Sequence, residues 1–367
     1  MITEGFVYRI GDVDNVSAGG SRCIVLSTGE LLCSFALSTR LGSNDFKPML
    51  TRSLDGGVNW SAPTLLWPGA VDEWSIFGAI SHGRDNELLF YGSRWSLGRP
   101  GESFWCTETH SMKQNQLMWA RSLDDGRHWS PLQAIPHPVP GSVELSSPLA
   151  LTGSNRLVGS YAPKRVMGDV CDVPLHTVVS VWSDNLGETW QWSEMFHSDN
   201  PKSEFAECWV AELDDGRLLG TGYHFERAEA RVNFPNAFAI SHDGGTNWKK
   251  TASTEIMGQS TGLAGLTGGE ALMVYNQRSA APKGVWLAHV KPDDANFGIL
   301  SNMCVWQEPD AGKQDSSPAH RDWLNFRYGE PSVTVLPDNT LFVAFWCEQS
   351  TGTGIRFVKM PFPKKAK

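Results

Sequence analysis

Side chains that can bind or cleave a polar molecule recur in this sequence at the ends of short apolar segments. The segments have the composition of β-strands, and the polar groups are arginines, carboxylates, tyrosines, a histidine and tryptophans. The candidate site residues are Arg22, Arg40, Asp45, Trp74, Arg94, Glu207, Tyr223, His224, Arg278, Arg327, Tyr328 and Glu330. Arginine, carboxylate and aromatic groups together suit a polyhydroxylated and possibly anionic ligand. A ring of salt bridges that satisfies strand ends would use the same residue types.

The apolar segments form six strand–turn–strand units. These units occupy residues 23–35, 77–90, 148–158, 209–219, 262–273 and 332–343. In an antiparallel hairpin, the start of the first strand and the end of the second lie at the same end. If the six hairpins surround an axis, the candidate residues therefore converge on one mouth. Further polar and aromatic residues expected at that mouth are Trp95, Glu144, Lys164, Arg227, Gln259 and Trp346.

An octet of the form Ser-x-Asp/Asn-x-Gly-x-x-Trp accompanies the first four units. It occurs four times, at residues 53–60, 122–129, 183–190 and 241–248. The Asp or Asn side chain can accept hydrogen bonds from nearby backbone N–H groups, and the glycine can take a positive φ. The tryptophan then returns on the next strand and packs over the turn. We therefore interpret the octet as a structural staple of a hairpin, with no chemical role.

The two repeats together predict the architecture. Six units, each with an inner and an outer hairpin, are typical of a six-bladed β-propeller of four-stranded antiparallel sheets. The propeller would occupy the whole chain, residues 1–367, as a single domain. The segment 6–10 is expected to complete the last sheet and close the ring. The polar segment 308–322 is expected to be a loop insertion.

Composition excludes several classes of partner. The net charge of −9 argues against binding to a nucleic-acid backbone as the main role. No apolar run approaches the roughly 18 residues of a membrane helix. The first residues lack the basic and apolar regions of a secretory signal, so the cytoplasm is the expected compartment. The seven cysteines contain no CxxC pair, and no residue cluster has metal-ligand spacing. No metal or other cofactor is implied.

The octets are identified as Asp-boxes (BNR repeats), and the chain resembles the sialidase/neuraminidase superfamily over nearly its whole length. This resemblance implies a carbohydrate substrate. Arg22 matches an arginine of the family's carboxylate-binding triad, and Arg40 with Asp45 matches a segment whose aspartate is the general acid/base. Glu207 matches a glutamate that activates a tyrosine nucleophile. The segment 327–330 resembles the one that carries this tyrosine.

The sequence departs from the family pattern at three positions. The second triad arginine is expected where this chain has Gly222-Tyr223-His224, and Arg278 and Lys283 are rivals for the third. The nucleophile position aligns nearer Glu330 than Tyr328. Residues two apart in a strand lie on the same face, so these two side chains are expected to point together. The resemblance therefore implies an altered specificity site rather than that of a strict sialidase.

The main functional hypothesis is a glycoside hydrolase that acts on a terminal, possibly anionic sugar. Asp45 would be the acid/base, with Glu207 and Tyr328 on the nucleophilic side, or Glu207 or Glu330 would act as a plain base.

Two alternatives remain open at the level of sequence. One is a propeller that binds glycans without cleaving them. The other is a polysaccharide lyase in which Tyr223 or His224 abstracts a proton. Oligomeric state and the identity of the sugar are not determined by these residues.

Overall fold

The computed structural model describes residues 2–11, 16–227, 231–309 and 326–362. Within these ranges the sheets are antiparallel and form a six-bladed β-propeller, which confirms the predicted fold class. The predicted insertion at 308–322 lies almost entirely outside the described residues. The described ranges contain no helix with the length and apolar character needed to traverse a bilayer.

Each blade is built from strands that follow one another outward from the axis. The N-terminal strand is β1 (Thr3–Arg9), and blade 1 contains β2 (Ser17–Val25), β3 (Leu31–Ser38), β4 (Lys47–Ser53) and β5 (Thr64–Leu65). Blade 2 contains β6 (Trp74–His82), β7 (Leu88–Ser96), β10 (Asn115–Ser122) and β11 (Gln133–Ala134), with a separate mouth hairpin of β8 (Trp105–Cys106) and β9 (Ser111–Met112). Blade 3 contains β12 (Ser142–Glu144), β13 (Ala150–Leu151), β14 (Leu157–Lys164), β15 (Thr177–Ser183) and β16 (Gln191–His197).

The other three blades follow the same order. Blade 4 contains β17 (Ser203–Glu212), β18 (Leu218–Glu226), β19 (Val232–Asn233), β20 (Ala237–Ser241) and β21 (Ala252–Ser253). Blade 5 contains β22 (Thr261–Leu266), β23 (Glu270–Gln277), β24 (Gly284–Val290) and β25 (Ile299–Gln307). Blade 6 contains β26 (Tyr328–Val335), β27 (Thr340–Gln349), β28 (Gly352–Pro361) and, as its outermost strand, β1.

The ring is closed by the N-terminal strand. β1 pairs antiparallel with β28, with Glu4 opposite Val358 and Tyr8 opposite Ile355. The predicted closure of the last sheet by the N-terminal segment is therefore confirmed, with the strand at Thr3–Arg9 rather than 6–10. Closure supplies β28 with backbone partners on both sides and leaves β1 as the outer edge.

The core lies between neighbouring blades, whose faces pack on each other. Leu272 and Val274 of blade 5 pack with Leu341 and Val343 of blade 6, and all four side chains are fully buried. Burial on both faces explains why these strands read as nearly continuous apolar runs. Each such side chain stabilises the fold by roughly 1.5–3 kcal/mol relative to an exposed position.

The octets form the staples that the sequence predicts. In the first octet, Ser53 Oγ accepts the Gly57 N–H at 2.9 Å and Asp55 Oδ1 accepts the Asn59 N–H at 2.8 Å. Gly57 has a φ of 92°, and the matching glycine of each other octet is also positive. The hydrogen bonds from Asn59 lower the pKa of Asp55 to about 2. The turns follow the third strand of their blades and so lie at the end of the propeller opposite the predicted mouth.

We expect Asp55→Ala to lower the melting temperature by a few degrees, because the turn loses the acceptor for its backbone N–H groups. Thermal unfolding followed by circular dichroism measures this. The effect should disappear as the pH falls toward 2, since the depressed pKa means that the wild-type carboxylate is protonated only there. The exposed Asp72 provides a matched control, and an equal loss of stability in Asp72→Ala would contradict the staple.

Candidate active site

Three inner strands carry a β-bulge at the same level of the propeller. The pairing register shifts between Gly19 and Arg22 in β2, between Ala206 and Trp209 in β17, and between Gly329 and Ser332 in β26. A bulge adds a residue to one strand and changes the direction of its side chains. The three positive-φ residues at these bulges are Gly20 (64°), Glu207 (53°) and Glu330 (46°).

Positive φ is uncommon for a glutamate and strains the backbone by roughly 1–3 kcal/mol. Of the three glutamates with a positive φ in the described residues, Glu207 and Glu330 line a cavity at the mouth of the propeller, and Glu255 does not. Such strain persists only where the surrounding contacts fix it, and it concentrates at functional sites. The bulges therefore mark this cavity as the candidate active site.

The titratable and amide side chains of the cavity come from blades 3 to 6, and serines of blades 1 and 2 also line it. These titratable and amide side chains are Glu144, Lys164, Glu207, Tyr223, Arg227, Arg231, Gln259, Arg278 and Glu330. Glu144 belongs to blade 3 and Glu330 to blade 6, so these two carboxylates enter from opposite sides of a six-bladed ring. A ligand bound between them would have a carboxyl group on each side.

Each of the three glutamates is held by a hydrogen bond. The Glu207 N–H donates to both oxygens of Glu144, at 3.1 and 3.0 Å. The Gly20 N–H donates to Glu330 Oε2 at 2.8 Å, and Ser260 Oγ donates to Glu207 Oε2 at 2.6 Å. Two of these donors are backbone groups at bulges, so the bulges both aim the carboxylates and fix their partners.

Burial and the repulsion between like charges change the acidity of Glu144 and Glu330. Burial raises the pKa of Glu144 to about 7, Lys164 opposes this shift and the negative charge of Glu207 adds to it. Burial also raises the pKa of Glu330, opposed by the charge of Arg22 and increased by that of Glu207. A carboxyl with a pKa near 7 can carry a proton at neutral pH and release it during a reaction.

Arg22 lies beneath the cavity. It is 3% exposed, and its guanidinium donates to the carbonyl oxygens of Ser146 (2.5 and 3.0 Å), Ser21 (2.7 Å) and Glu330 (3.1 Å). The guanidinium also lies 4.7 Å from the ring centre of Trp209. Burial lowers the pKa of Arg22, while the charges of Glu330 and Glu207 oppose that shift. Arg22 thus joins blades 1, 3, 4 and 6 under the cavity floor.

Arg278 lines the cavity but also makes structural contacts. Its Nη1 donates to Gln259 Oε1 at 2.7 Å, and its Nε and Nη2 donate to the carbonyl oxygen of Tyr328, at 3.1 Å for Nε. The guanidinium lies 3.9 Å from the ring centre of Phe326. Tyr223 also lines the cavity, and its hydroxyl donates to Asn233 Oδ1 at 2.5 Å.

Tyr328 does not share the environment of Glu330. Its side chain is 1% exposed, packs on Trp306 at 5.2 Å between ring centres, and donates its hydroxyl to the carbonyl oxygen of Gln277 at 2.6 Å. The expectation that Tyr328 and Glu330 lie on one face is therefore wrong. The bulge between Gly329 and Ser332 breaks the alternation on which that expectation rested. Burial raises the pKa of the Tyr328 hydroxyl above its usual range.

Asp45 and Arg40 lie on the mouth loop of blade 1, outside the residues that line the cavity. Both oxygens of Asp45 accept the Thr39 N–H, at 3.2 and 3.3 Å. Arg40 donates to the carbonyl oxygen of Gly101 at 2.8 Å. The Asp45 carboxylate therefore makes its hydrogen bonds within its own loop.

Four other candidates also have partners away from the cavity. Arg94 stacks on Trp74, 4.1 Å from the ring centre, and Arg327 lies 3.8 Å from Glu348. His224 stacks on Phe205 at 4.7 Å. These residues do not line the cavity, although the sequence places them at the same end of the propeller.

The aromatic part of the cavity was largely absent from the predicted set. Nine aromatic side chains of the described residues line the cavity, and four that come from blades 1 and 2 pack together; we call these four, Phe46, Phe77, Trp95 and Phe104, the aromatic wall. Phe46 lies 5.3 Å from both Phe77 and Phe104, and Trp95 lies 5.4 Å from Phe104. Trp95 was expected at the mouth from its place at the end of a strand. The loop residues Phe46 and Phe104 have no such signal.

Known structures share this architecture. A protein of unknown function from Dyadobacter fermentans aligns with a TM-score of 0.76 and 16% identity over 99% of both chains. The Hadza microbial sialidase Hz136 aligns with a TM-score of 0.66 and 17% identity, over 98% of this chain and 68% of its own. The NanB sialidase from Streptococcus pneumoniae gives 0.60 and 14%, over 98% and 70%. The chain has a sialidase-like propeller fold.

The likeness is one of fold. No family model and no curated protein matches the sequence. At identities of 14–17%, the shared architecture does not carry residue roles from those proteins to this one. The described residues contain no group of three His, Cys, Asp or Glu side chains arranged to hold a metal ion.

We expect Arg22→Ala to destabilise the protein by about 3–5 kcal/mol, because it leaves buried carbonyl oxygens and the charge of Glu330 without their partner. Urea unfolding followed by tryptophan fluorescence measures this free energy. Arg40→Ala is the control, since that arginine is exposed and makes one hydrogen bond to a carbonyl. Equal stability of the two variants would refute the structural role of Arg22.

We expect the stability of the Glu144→Gln variant, measured relative to the wild type, to increase from pH 5 to pH 8. A raised pKa in the folded state means that wild-type stability is complete below the usual glutamate pKa and is lost as pH rises through about 7. The glutamine carries no charge and avoids that loss, while its carbonyl oxygen can still accept the Glu207 N–H. Melting temperatures across this range test the prediction, with the exposed Glu188→Gln as control; a pH-independent difference would contradict it.

Proposed function

We propose that this protein is a carbohydrate-active enzyme, a glycoside hydrolase that acts on a terminal sugar. The observation that carries the proposal is the convergence of Glu144, Glu207 and Glu330 in one cavity with an aromatic wall. Hydrolysis of a glycoside requires a proton donor for the leaving oxygen and a nucleophile or activated water on the other face of the sugar. Carboxyl groups entering from opposite blades meet that requirement. The sialidase-like fold is consistent with it.

Glu144 takes the role of proton donor. Its pKa of about 7 keeps part of the population protonated at neutral pH, and the Glu207 N–H holds its carboxyl group in place. Asp45, which the family resemblance suggests for this role, is bonded to its own loop through the Thr39 N–H. Glu144 is therefore the stronger candidate for the acid.

Glu330 takes the role of nucleophile or general base. Arg22 beneath it and Arg278 beside it oppose the rise in its pKa, and so favour the ionised form. The bulge directs this carboxylate into the cavity, whereas the neighbouring Tyr328 hydroxyl bonds to a main-chain carbonyl in the core. Glu207 is assigned neither role. Its backbone N–H holds the Glu144 carboxyl, and its side chain accepts a hydrogen bond from Ser260 Oγ.

Glycan binding without cleavage is the second candidate function. The observation that favours it is the engagement of cavity side chains in the fold, as with Arg278 and the backbone of Tyr328. The lyase alternative has less support. His224 is stacked on Phe205 outside the cavity lining, and Tyr223, which does line the cavity, has its hydroxyl bonded to Asn233 and its pKa raised by burial.

We expect Glu144→Gln and Glu330→Gln each to reduce kcat at least about a hundredfold while the fold is retained. The assay is a panel of glycosides and oligosaccharides read by mass spectrometry, with substrate specificity left open. In the wild type, kcat/KM should fall as pH rises through about 7, because the proton donor Glu144 is lost.

Asp45→Ala discriminates between the two candidate acids. If that variant loses turnover and Glu144→Gln keeps it, the acid is Asp45. If no member of the panel is cleaved although sugars bind, the protein is a glycan-binding propeller.

A further inference from the structure

Three of the four cations that line the cavity in the described residues, Lys164, Arg227 and Arg278, are paired with anions or amide oxygens of the protein itself. Arg227 forms a bidentate pair with Glu204, with both distances at 2.7 Å. Lys164 Nζ donates to the carbonyl oxygen of Phe205 at 2.6 Å, and the Lys164 charge opposes the raised pKa of Glu144. Arg278 is bonded to Gln259 and to the backbone of Tyr328. These groups already have polar partners before any ligand binds.

The carboxylates of the cavity oppose the binding of an anionic ligand. Three glutamates line the cavity: Glu144, Glu207 and Glu330. Besides burial, the charges of Glu207 and Glu330 raise the pKa of Glu144, and the charge of Glu207 raises the pKa of Glu330. Arg22, Arg278 and Lys164 lie close to these three charges on the floor and the walls, and Arg227 is paired with Glu204. Arg231 also lines the cavity, stacked 4.7 Å from the ring centre of Phe225. A ligand carboxylate would displace existing partners and approach several like charges, which costs free energy in a partly desolvated site.

The aromatic wall offers a different kind of contact. Its four rings pack on one another at the cavity surface, away from the inter-blade cores that the described residues form. The mouth loops that carry two of them are fixed together, because the Phe104 N–H donates to Gly42 O at 3.1 Å and the Asn44 N–H donates to Glu102 O at 2.8 Å. A fixed aromatic surface suits the C–H face of a sugar ring, which is apolar.

From these two features we propose that the cavity binds an uncharged sugar ring. The apolar face of the ring lies on the aromatic wall, and its hydroxyl groups donate to the carboxylates that enter the cavity from blades 3, 4 and 6. Carboxylates are acceptors, so they suit the hydroxyl groups of a neutral sugar and do not require a charge on it. This inference rests on the proposed function and specifies its substrate class: glycosides of neutral sugars rather than of sialic or uronic acids.

Binding of methyl glycosides, measured by calorimetry, tests the charge preference. The panel contains neutral hexosides, 6-deoxyhexosides and N-acetylhexosaminides, with a glucuronide, a sialoside and a glucosaminide as charged members. We expect the best neutral ligand to bind at least about tenfold more tightly than any charged one, which corresponds to about 1.4 kcal/mol. Its Kd should not change between about 0.02 and about 0.5 M sodium chloride, because salt screens only charged contacts.

Phe104→Ala tests the place of binding. It should weaken the neutral ligand about tenfold through loss of the ring contact, whereas Trp192→Ala, a truncation of an aromatic side chain that is 54% exposed on β16, should leave the Kd within about twofold. If Phe104→Ala unfolds, Phe104→Leu keeps the apolar volume but removes the ring, and weaker binding is again expected.

The outcomes separate this inference from the proposed function. Tighter binding of the sialoside, glucuronide or glucosaminide overturns the inference and leaves the proposed hydrolase function standing. Failure of every neutral ligand to bind at about 50 mM, a free energy of only about 2 kcal/mol, also overturns it. If Phe104→Ala and Trp192→Ala weaken binding of the neutral ligand equally, the aromatic wall is not part of the binding site and the inference is overturned. Neutral-sugar binding without product would overturn the hydrolase and leave the inference standing.

Discussion

The guanidinium of Arg22 is the contact on which the geometry of the mouth depends. It reaches from blade 1 to the carbonyl oxygens of Ser146 in blade 3 and Glu330 in blade 6, and it lies over Trp209 in blade 4. Inner strands of a propeller meet only near the axis, where their bulged ends lack regular partners. A planar cation with donors in several directions satisfies such carbonyls from different blades at once. The floor of the cavity is therefore a polar cross-link that joins blade 1 to its neighbour, blade 6, and to blades 3 and 4 across the axis.

The same contact explains how buried carboxylates are tolerated above it. A carboxylate that leaves water without a partner is strongly destabilised. Glu330 accepts the Gly20 N–H, and its charge lies close enough to Arg22 to oppose the rise in its pKa. Gly20 is itself at the bulge of β2, with a φ of 64° that favours glycine. Floor, bulge and carboxylate thus support one another, and the backbone strain at Glu330 is held by contacts on both sides.

Those features of the fold that repeat were accessible from the sequence, and those of the site that break the repeat were not. The octets and hairpins recur with a fixed pattern, so their turns, the blade number and the ring closure follow from local rules. The relation of Tyr328 to Glu330 does not, because a single bulge reverses which side of the strand faces the cavity. Glu144 was placed at the mouth, but its acidity depends on burial and on Lys164 and Glu207, which come from elsewhere in the chain. Phe46 and Phe104 meet only through loop contacts between two blades.

The coupling of the carboxylates has a consequence for any ligand that fills the cavity. An uncharged ring that displaces water lowers the local dielectric and disfavours the charged form of each carboxyl, so the pKa of Glu144 rises further when the site is occupied. The same loss of water would raise the pKa of Glu330, but the positive charges of Arg22 below it and of Arg278 oppose that rise. Occupancy therefore increases the difference between the two sides: Glu144, opposed mainly by one lysine, is driven toward the protonated acid, and Glu330, flanked by two arginines, retains its negative charge more readily. A proton donor and an anionic group on opposite sides of a sugar are the arrangement that glycoside cleavage requires, and under the proposed function the binding of the sugar would complete it.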